Sequence, residues 1–239
     1  VIYEATVGDP LLNNYASGIH NIRFALKGED GTSLEYDAGS QLISDVKIAS
    51  ESFNTNGIIL SVNAEDVSTN KKAISTKAIA IDTTAPMAEV SYDNNEVSNE
   101  KYFHAERTAT ITVTERNFSD DCFQFLVNGE DQKLEFKLAN TGSGNRDDAV
   151  WTASYTFASD GDYQVDCILK DRAENPGTVS YRGMAAQDFT VDRTSPVVKI
   201  EFDNHNVFHE NYYNAQRIAT IIVTEHNFDS GDVVIVGTS

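Results

Sequence analysis

The sequence predicts an all-β protein made of tandem β-sandwich domains in an elongated array. Tyr and Phe are frequent, at 10 and 12 residues, whereas Pro and Met number only 4 and 2. This composition suits pleated, half-buried strands better than helices. Short runs of alternating apolar and polar residues are bounded by clusters of Asn, Asp and Gly, which is the pattern of strands joined by turns. One long segment also occurs twice.

The repeated segment sets the size of the folding unit. Residues 81–118 are IDTTAPMAEVSYDNNEVSNEKYFHAERTATITVTERNF, and residues 191–228 are VDRTSPVVKIEFDNHNVFHENYYNAQRIATIIVTEHNF. About half of the positions are identical without a gap, at a period of 110 residues. Units that need their neighbours for a core are roughly 20–45 residues long, whereas an independent β-sandwich has about 100. Each repeat is therefore predicted to fold on its own.

Seven short strands are predicted between the two copies. They cover residues 87–92, 107–115, 122–128, 132–138, 150–157, 162–170 and 184–191. Seven strands at this spacing are typical of an immunoglobulin-like sandwich, in which two antiparallel sheets enclose the core. In that topology the loop after the second strand and the loop after the sixth lie at one pole, beside the linker from the preceding domain.

The linkers that open each repeat divide the chain. The segment GIILSVNAEDVSTN at 57–70 is similar to GDYQVDCILKDRAEN at 161–175, so the first domain is expected to end as the second does. This predicts an immunoglobulin-like domain without its first strand at 1–81, a complete one at 82–191, and the N-terminal part of a further repeat at 192–239. Incomplete sandwiches leave bare strand edges, so self-association by strand exchange is expected.

Five motifs carry a family resemblance: DTTAP, SYDNNEVSNEKYF, RTATITVTERNF, DRAEN and FTVDRTSP. They resemble bacterial immunoglobulin-like repeats from large surface proteins of gut Firmicutes, of the Lachnospiraceae and Ruminococcus type, and the resemblance spans nearly the whole chain. It implies a secreted or cell-surface protein of a Gram-positive bacterium, attached to the cell wall through regions outside these residues. Such arrays serve adhesion, glycan binding or host-protein binding, in some cases the binding of host immunoglobulin.

Charge and missing motifs exclude several function classes. The 18 basic and 37 acidic residues give a formal charge of −19, which repels nucleic acid and anionic membranes. No apolar run reaches the roughly 18 residues of a membrane span, so membrane insertion is not expected. No GxSxG elbow or comparable nucleophile motif occurs. We therefore expect a binding or stalk module rather than an enzyme.

Acidic residues gather where the linker and the two polar loops of the middle domain are predicted to meet. The set is Asp82, Glu115, Asn117, Asp120, Asp121, Asp171, Glu174 and Asn175. Hard oxygen ligands are what Ca²⁺ prefers, and unpaired carboxylates at a junction repel one another unless a cation neutralises them. One hypothesis is therefore a cadherin-like Ca²⁺ joint between the first two domains, with Asp82, Glu115, Asp120, Asp121, Asp171 and Asn175 as ligands. Solvated acidic loops, or neutralisation by Arg172, are the alternatives.

Two aromatic pairs are the candidate partner-binding residues. Tyr102 and Phe103 of one repeat correspond to Tyr212 and Tyr213 of the next. Strand alternation is expected to expose one ring of each pair for contact with a host protein, immunoglobulin being one candidate, or with a glycan. Packing of both rings under the loop is the alternative. The single tryptophan, Trp151, is expected in the core, with sugar stacking as its alternative.

The cysteines and histidines give no strong site signal. Cys122 and Cys167 are predicted on opposite faces of one sheet, where they remain reduced thiols, because a disulfide needs both Cβ atoms to point together. His205 and His209 lie four apart, which presents a metal site on a helix but not in the loop predicted here. No zinc site is therefore expected.

Overall fold

The computed structural model describes residues 2–4, 7–8, 15–39, 45–47, 53–142 and 148–236. They belong to two compact units, Val1–Val191 and Asp192–Ser239, and their regular structure is all-β, as predicted. The strands are β1 (Ile2–Glu4), β2 (Ile19–Lys27), β3 (Ser33–Gly39), β4 (Asp45–Lys47), β5 (Thr55–Asp66), β6 (Lys71–Ser75), β7 (Ile79–Ile81), β8 (Met87–Tyr92), β9 (Tyr102–Phe103), β10 (Arg107–Thr114), β11 (Phe123–Val127), β12 (Glu130–Asp131), β13 (Lys137–Asn140), β14 (Val150–Phe157), β15 (Gly161–Leu169), β16 (Thr178–Tyr181), β17 (Asp188–Val191), β18 (Val197–Phe202) and β19 (Ala219–Thr224). None of these residues forms a helix long and apolar enough to span a membrane.

The first unit begins with an N-terminal lobe, the described residues up to Ile81. Its main sheet has the order β3-β2-β5-β6, and β7 also pairs with β5. Alternate residues of β2 and β5 are buried, as period-two patterning requires. The core of the lobe consists of Ile22, Phe24, Leu26, Phe53, Ile58, Leu60 and Val62. Strand β6 lies at the sheet edge, where Lys71 and Lys72 discourage pairing with another chain.

The rest of the first unit, residues 82–191, is a middle sandwich of two sheets. Their strand orders are β13-β14-β10-β8-β16 and β12-β11-β15-β17-β9. Pairing is antiparallel except for β16 with β8 and β9 with β17. The core residues alternate along β8, β10 and β11, so both sheets turn one face inward. Apolar burial of this kind is the main stabilising term of such a sandwich.

Most predicted strands agree with the structure to within a residue. Strands β8 and β14 have the predicted limits, β10 ends one residue early, and β11 and β15 differ by one residue at each end. The strand predicted at 132–138 is wrong in part, because residues 132–136 do not belong to a strand and β13 begins at Lys137. The strand predicted at 184–191 is shortened to β17, because residues 184–187 form a turn beside a buried arginine.

That arginine, Arg107, is fully buried at the start of β10. It donates hydrogen bonds to the carbonyls of Asn94, Met184 and Ala185 and to Asn95 Oδ1, at 2.6–3.3 Å. Its guanidinium carbon lies 3.8, 4.1 and 4.6 Å from the ring centres of Tyr92, Phe103 and Phe189. Burial lowers the pKa of Arg107 to about 10, so the group stays charged at neutral pH. Cation–π contacts and charged hydrogen bonds thus fix two loops to the core.

The second unit contains the antiparallel pair β18–β19, with Val197 opposite Thr224. Arg217, one repeat after Arg107, stacks on Phe202 and Tyr213 at 3.9 Å from each ring centre. Its Nε donates to the Asn204 carbonyl at 2.9 Å, as Arg107 does to Asn94. An arginine that stacks on aromatic rings and donates to an asparagine carbonyl therefore occurs in both repeats.

Candidate metal centre at the domain junction

Three carboxylates converge where the N-terminal lobe meets the middle sandwich. Asp82 follows β7, Glu115 follows β10, and Asp171 lies two residues beyond β15. Each provides one oxygen, and the three oxygens lie within 4.8 Å of one another. The Asp82 side chain is 2% exposed, and Glu115 and Asp171 are 2% and 0% exposed. The group is therefore withdrawn from solvent, where carboxylates are costly unless they are compensated.

Hydrogen bonds from local turns hold the three carboxylates in place. The backbone amide of Asn117 donates to Glu115 Oε1 at 2.6 Å, and the backbone amide of Thr84 donates to Asp82 Oδ1 at 3.1 Å. Asp171 Oδ1 accepts from the amides of Ala173 and Asn175 at 2.8 and 2.9 Å. Short loops thus aim the oxygens before any ligand arrives, which lowers the entropic cost of binding.

A buried arginine connects the N-terminal lobe to the middle sandwich at this group. Arg116 Nη2 lies 3.2 Å from Asp82 Oδ2, and the Arg116 side chain is 3% exposed. Its Nη1 donates to the Asn54 carbonyl at 2.6 Å, and its Nη2 donates to Asn54 Oδ1 at 3.1 Å. Because Asn54 belongs to the N-terminal lobe, the guanidinium ties the lobe to a loop of the middle sandwich. Such forked, charge-assisted bonds are strong and directional.

Asparagines add further bonds across the junction. Asn56 Nδ2 of the lobe donates to Asn117 Oδ1 at 2.8 Å. Asn175 Nδ2 donates both to the Asp82 carbonyl at 3.1 Å and to Asp171 Oδ2 at 2.7 Å. The junction is therefore cross-linked at several points, and bending it breaks buried polar pairs that water cannot readily replace.

The core of the middle sandwich supports the same loop. The Trp151 indole donates to the Glu115 carbonyl at 3.0 Å, and its ring lies 5.7 Å from the ring of Phe118. Trp151 packs against the core, as the sequence predicted. The tryptophan thus positions the backbone of a candidate metal ligand.

Burial controls the electrostatics of Glu115. Desolvation, with smaller contributions from Asp82 and Asp171, raises the pKa of Glu115 to about 7, although the Asn117 amide and Arg116 act in the other direction. Three carboxylates with one guanidinium leave two formal negative charges when all are ionised. A proton on Glu115 or a bound cation relieves this excess.

The structure brings together only part of the predicted ligand set. Asp120 and Asp121 are exposed and lie outside the group of three carboxylates, because a short 3₁₀ turn at Asp120–Cys122 follows the loop. A hydrogen bond from Ser119 lowers the pKa of Asp121. Asn175 uses its amide nitrogen to hold Asp82 and Asp171 and so acts beside the group.

The residue that sequence reasoning missed is Arg116. An arginine does neutralise part of the acidic group, but it is not Arg172, which is exposed. Arg116 makes the ion pair with Asp82. The sequence signal that could have identified Arg116 is its position between Glu115 and Asn117, two residues of the predicted acidic set. The second repeat has His226 at that position, so the repeat does not single out an arginine there.

Part of the junction recurs in the second unit. Asn227 Nδ2 donates to Asp192 Oδ2 at 2.9 Å, and the Asn227 amide donates to Glu225 Oε1 at 3.2 Å. These bonds repeat those of Asn117 with the linker aspartate and the loop glutamate one period earlier. A linker aspartate held by the Glu-x-Asn loop is thus a repeated local structure.

The predicted partner-binding aromatics differ in accessibility. Phe103 is fully buried and packs edge-on against Phe189 at 5.8 Å, which corrects the expectation that it contacts a partner. Tyr102 is half-buried in β9. Tyr212 is 72% exposed, whereas Tyr213 is half-buried beneath Arg217. Of the four, Tyr212 offers the most accessible ring.

The cysteines are free thiols, Cys122 buried and Cys167 half-buried. Burial raises the pKa of Cys167 to about 11, which makes it a poor nucleophile at neutral pH. His205 and His209 are exposed. Among the residues that the structure describes, the carboxylates of Asp82, Glu115 and Asp171 are the one group of three or more such side chains close enough together to share a metal ion.

Comparisons with known proteins give distant structural similarity. No protein-family model and no curated protein matches the sequence. A 1.5-MDa bacterial ice-binding adhesin, studied for host cell surface retention, matches with 13% identity and a TM-score of 0.28, over 78% of this chain and 59% of its own. A Ca²⁺-stabilised adhesin that helps an Antarctic bacterium bind ice matches with 14% identity and a TM-score of 0.26, over 84% of this chain and 46% of its own. The present chain thus spans about half the length of each.

Proposed function

We propose that this chain is part of a non-enzymatic extracellular stalk and adhesion module of a bacterial surface protein, with cell-wall attachment through other regions. The observation that supports the proposal is the buried Asp82–Arg116–Asn54 connection between two folded domains. A surface protein gains reach when successive domains resist bending, because a stiff spacer keeps its end-to-end distance. Repetition then presents the same surface several times and adds avidity.

Mechanical pulling on the whole chain by single-molecule force spectroscopy tests the stalk proposal. We expect the junction to resist until one of the two domains of the first unit unfolds, because its polar contacts are buried. A soft extension at low force, before any domain unfolds, would argue against a stalk. Arg172→Ala, an exposed change of the same charge, is the control for handling and tethering.

We propose further that the junction group binds Ca²⁺. Three buried carboxylate oxygens within 4.8 Å are the ligand type that Ca²⁺ takes in sets of about six to eight. The two negative charges left by Arg116 match the charge of one divalent ion. Asp82, Glu115 and Asp171 supply the ligands in this proposal.

Thermal unfolding with Ca²⁺ or with chelator tests this site. A ligand at about 100 times its Kd stabilises by about 2.7 kcal/mol, so we expect Ca²⁺ to raise the Tm of the first unit by about 10 °C. Asp171→Asn should abolish the increase, and Asp121→Asn, outside the group, should leave it intact. Equal Tm values in both conditions, with no heat of binding in calorimetry, would contradict Ca²⁺ binding at this site.

A second candidate function is recognition of a host protein, with immunoglobulin as one candidate, or of a glycan. Phe208 and Tyr212 are 76% and 72% exposed in the second unit, and exposed aromatics are frequent at binding surfaces. A pull-down from serum and mucosal fluid, with a glycan panel in parallel, tests it. Retention that falls with Tyr212→Ala supports this function, and retention of nothing by the chain contradicts it.

A further inference from the structure

A polar cleft lies on the sheet of the N-terminal lobe, at the end of β5 that is remote from the junction. The polar residues that line it are Asn21, Arg23, Asn63, Glu65, Lys71 and Lys72. Its volume is about 560 Å³, within the range of roughly 300–1,000 Å³ that small-molecule sites occupy. The cleft is therefore large enough for a ring-sized ligand, and it offers that ligand charged groups and amides.

Strand alternation and register bring these side chains together. Core residues alternate with outward ones along β2, so Asn21 and Arg23 lie on the face of the sheet that points away from the core. Across the sheet, Asn21 is opposite Glu65, and Arg23 is opposite Asn63. The edge strand β6 continues the second row with Ala73, whose single methyl group leaves space between the longer side chains.

One amide of the cleft has an unused hydrogen-bond acceptor. Asn21 Oδ1 is buried, and it accepts no hydrogen bond from any residue that the structure describes. Buried polar atoms are nearly always paired, so this oxygen calls for a donor such as a ligand or an ordered water. A hydroxyl group is a donor of the right kind, and the amide of Asn63 in the next row can both donate and accept. The amides of the cleft therefore suit a ligand that carries several hydroxyl groups.

The charge of the cleft differs from that of the whole chain. Three cations and one carboxylate line it, although the chain carries a formal charge of −19. Arg23 pairs with Asp37 at 3.2 Å and Lys71 with Glu65 at 3.6 Å, but exposed pairs of this kind are weak, so both cations remain able to bind an anion. Lys72 has no ion-pair partner among the described residues. A ligand with one negative charge is therefore matched here, whereas a long polyanion meets the acidic remainder of the chain.

We propose that this cleft binds a sugar residue that carries a carboxylate, of the uronic acid or sialic acid type, as the end of a glycan chain. Arg23, Lys71 and Lys72 bind the carboxylate, and Asn21 and Asn63 bind the hydroxyl groups. Charge-assisted hydrogen bonds supply most of the affinity, and the amides supply the preference for a sugar over a simple anion. The site gives the proposed adhesion module a ligand class, and it does not depend on Ca²⁺ at the junction.

Titration of the whole isotope-labelled chain with glucuronic acid, N-acetylneuraminic acid and glucose, followed by NMR, tests the proposal. For a carboxylated sugar of this size we expect a Kd on the order of 1 mM. Glucose should bind at least tenfold more weakly, and the amide shifts should be concentrated in β2, β5 and β6. Added salt should weaken the binding of the carboxylated sugar. Whichever of the two acids binds more tightly identifies the type of sugar.

Two substitutions separate the contribution of charge from that of the amide. Lys72→Gln should weaken binding of the carboxylated sugar at least fivefold, because it removes a charged donor. Lys77→Gln, the same change at an exposed position outside the cleft, should not. Asn21→Ala should also weaken binding but leave the Tm unchanged, since Asn21 Oδ1 accepts no hydrogen bond from the described residues. An unchanged Tm excludes unfolding of the lobe as the cause of lost binding.

Three outcomes overturn the proposal. The first is equal binding of glucose and the two acids, because the cleft then does not recognise the carboxylate. The second is binding that neither Lys72→Gln nor Asn21→Ala weakens, or amide shifts confined to other parts of the chain, because the sugar then binds elsewhere. The third is the absence of any shift with either acid at concentrations far above the expected Kd.

Discussion

Replacing Arg107 with methionine is expected to destabilise the middle sandwich by about 3–5 kcal/mol, because several buried acceptors lose their donor at about 1–3 kcal/mol each. Methionine fills much of the volume but donates no hydrogen bond. The carbonyls of Asn94, Met184 and Ala185 then lose their donor in a place that water does not reach easily. The Tm of this domain should fall by at least about 10 °C.

Differential scanning calorimetry of the whole chain measures this effect as a shift of the transition in which the middle sandwich unfolds. Arg182→Met is the matched control, since Arg182 pairs with Glu89 on the surface and its side chain is 73% exposed. Exposed pairs contribute about 0–1 kcal/mol, so the control should hardly move the Tm. A similar small shift for Arg107→Met would show that the buried arginine is not what fixes the two loops.

Replacing Arg116 with alanine is expected to cost about 3 kcal/mol in chelator, because Asp82 is then left buried without its cation. The change also removes the two bonds to Asn54. We expect the N-terminal lobe and the middle sandwich to unfold at more widely separated temperatures. Ca²⁺ should recover part of the loss, since a divalent ion can compensate the carboxylates that the guanidinium no longer neutralises.

Arg172→Ala provides the matched control for Arg116→Ala, as it removes the same charge from a neighbouring exposed position. Urea unfolding followed by tryptophan fluorescence is a suitable measurement, because Trp151 is hydrogen-bonded to the loop that contains Arg116. If both variants unfold at the same urea concentration as the original chain, the ion pair with Asp82 does not stabilise the junction.

The strands of the middle sandwich could be predicted because apolar and polar residues alternate along β8, β10 and most of β14, and an Asn or Asp follows each strand within three residues. Prediction was less accurate where side chains override the local pattern. Residues 184–187 fall within a predicted strand, yet the carbonyls of Met184 and Ala185 accept hydrogen bonds from Arg107, and Ala185 takes a positive φ of 45°. Distant hydrogen-bond partners of this kind leave no mark in the local sequence.

The location of the candidate site could be predicted from the sequence, but the residues that form it could not all be identified. Topology alone places the linker beside two loops, which is why Asp82, Glu115 and Asp171 could be grouped. Which of the neighbouring acids turn inward depends on single turns, such as the 3₁₀ turn after Ser119 that leaves Asp120 and Asp121 exposed. The part played by Arg116 depends on Asn54, 62 residues away in sequence, and so required the structure.

The stiffness of the junction can be measured most directly as a distance distribution between spin labels on the two domains. Lys72→Cys in β6 and Gln124→Cys in β11 place labels on exposed positions, in a background with Cys122→Ala and Cys167→Ala. Pulsed electron spin resonance should give one narrow distribution, which Arg116→Ala broadens and Arg172→Ala does not. A broad distribution with Arg116 in place would contradict a buried, locked junction and with it the proposal of a stalk.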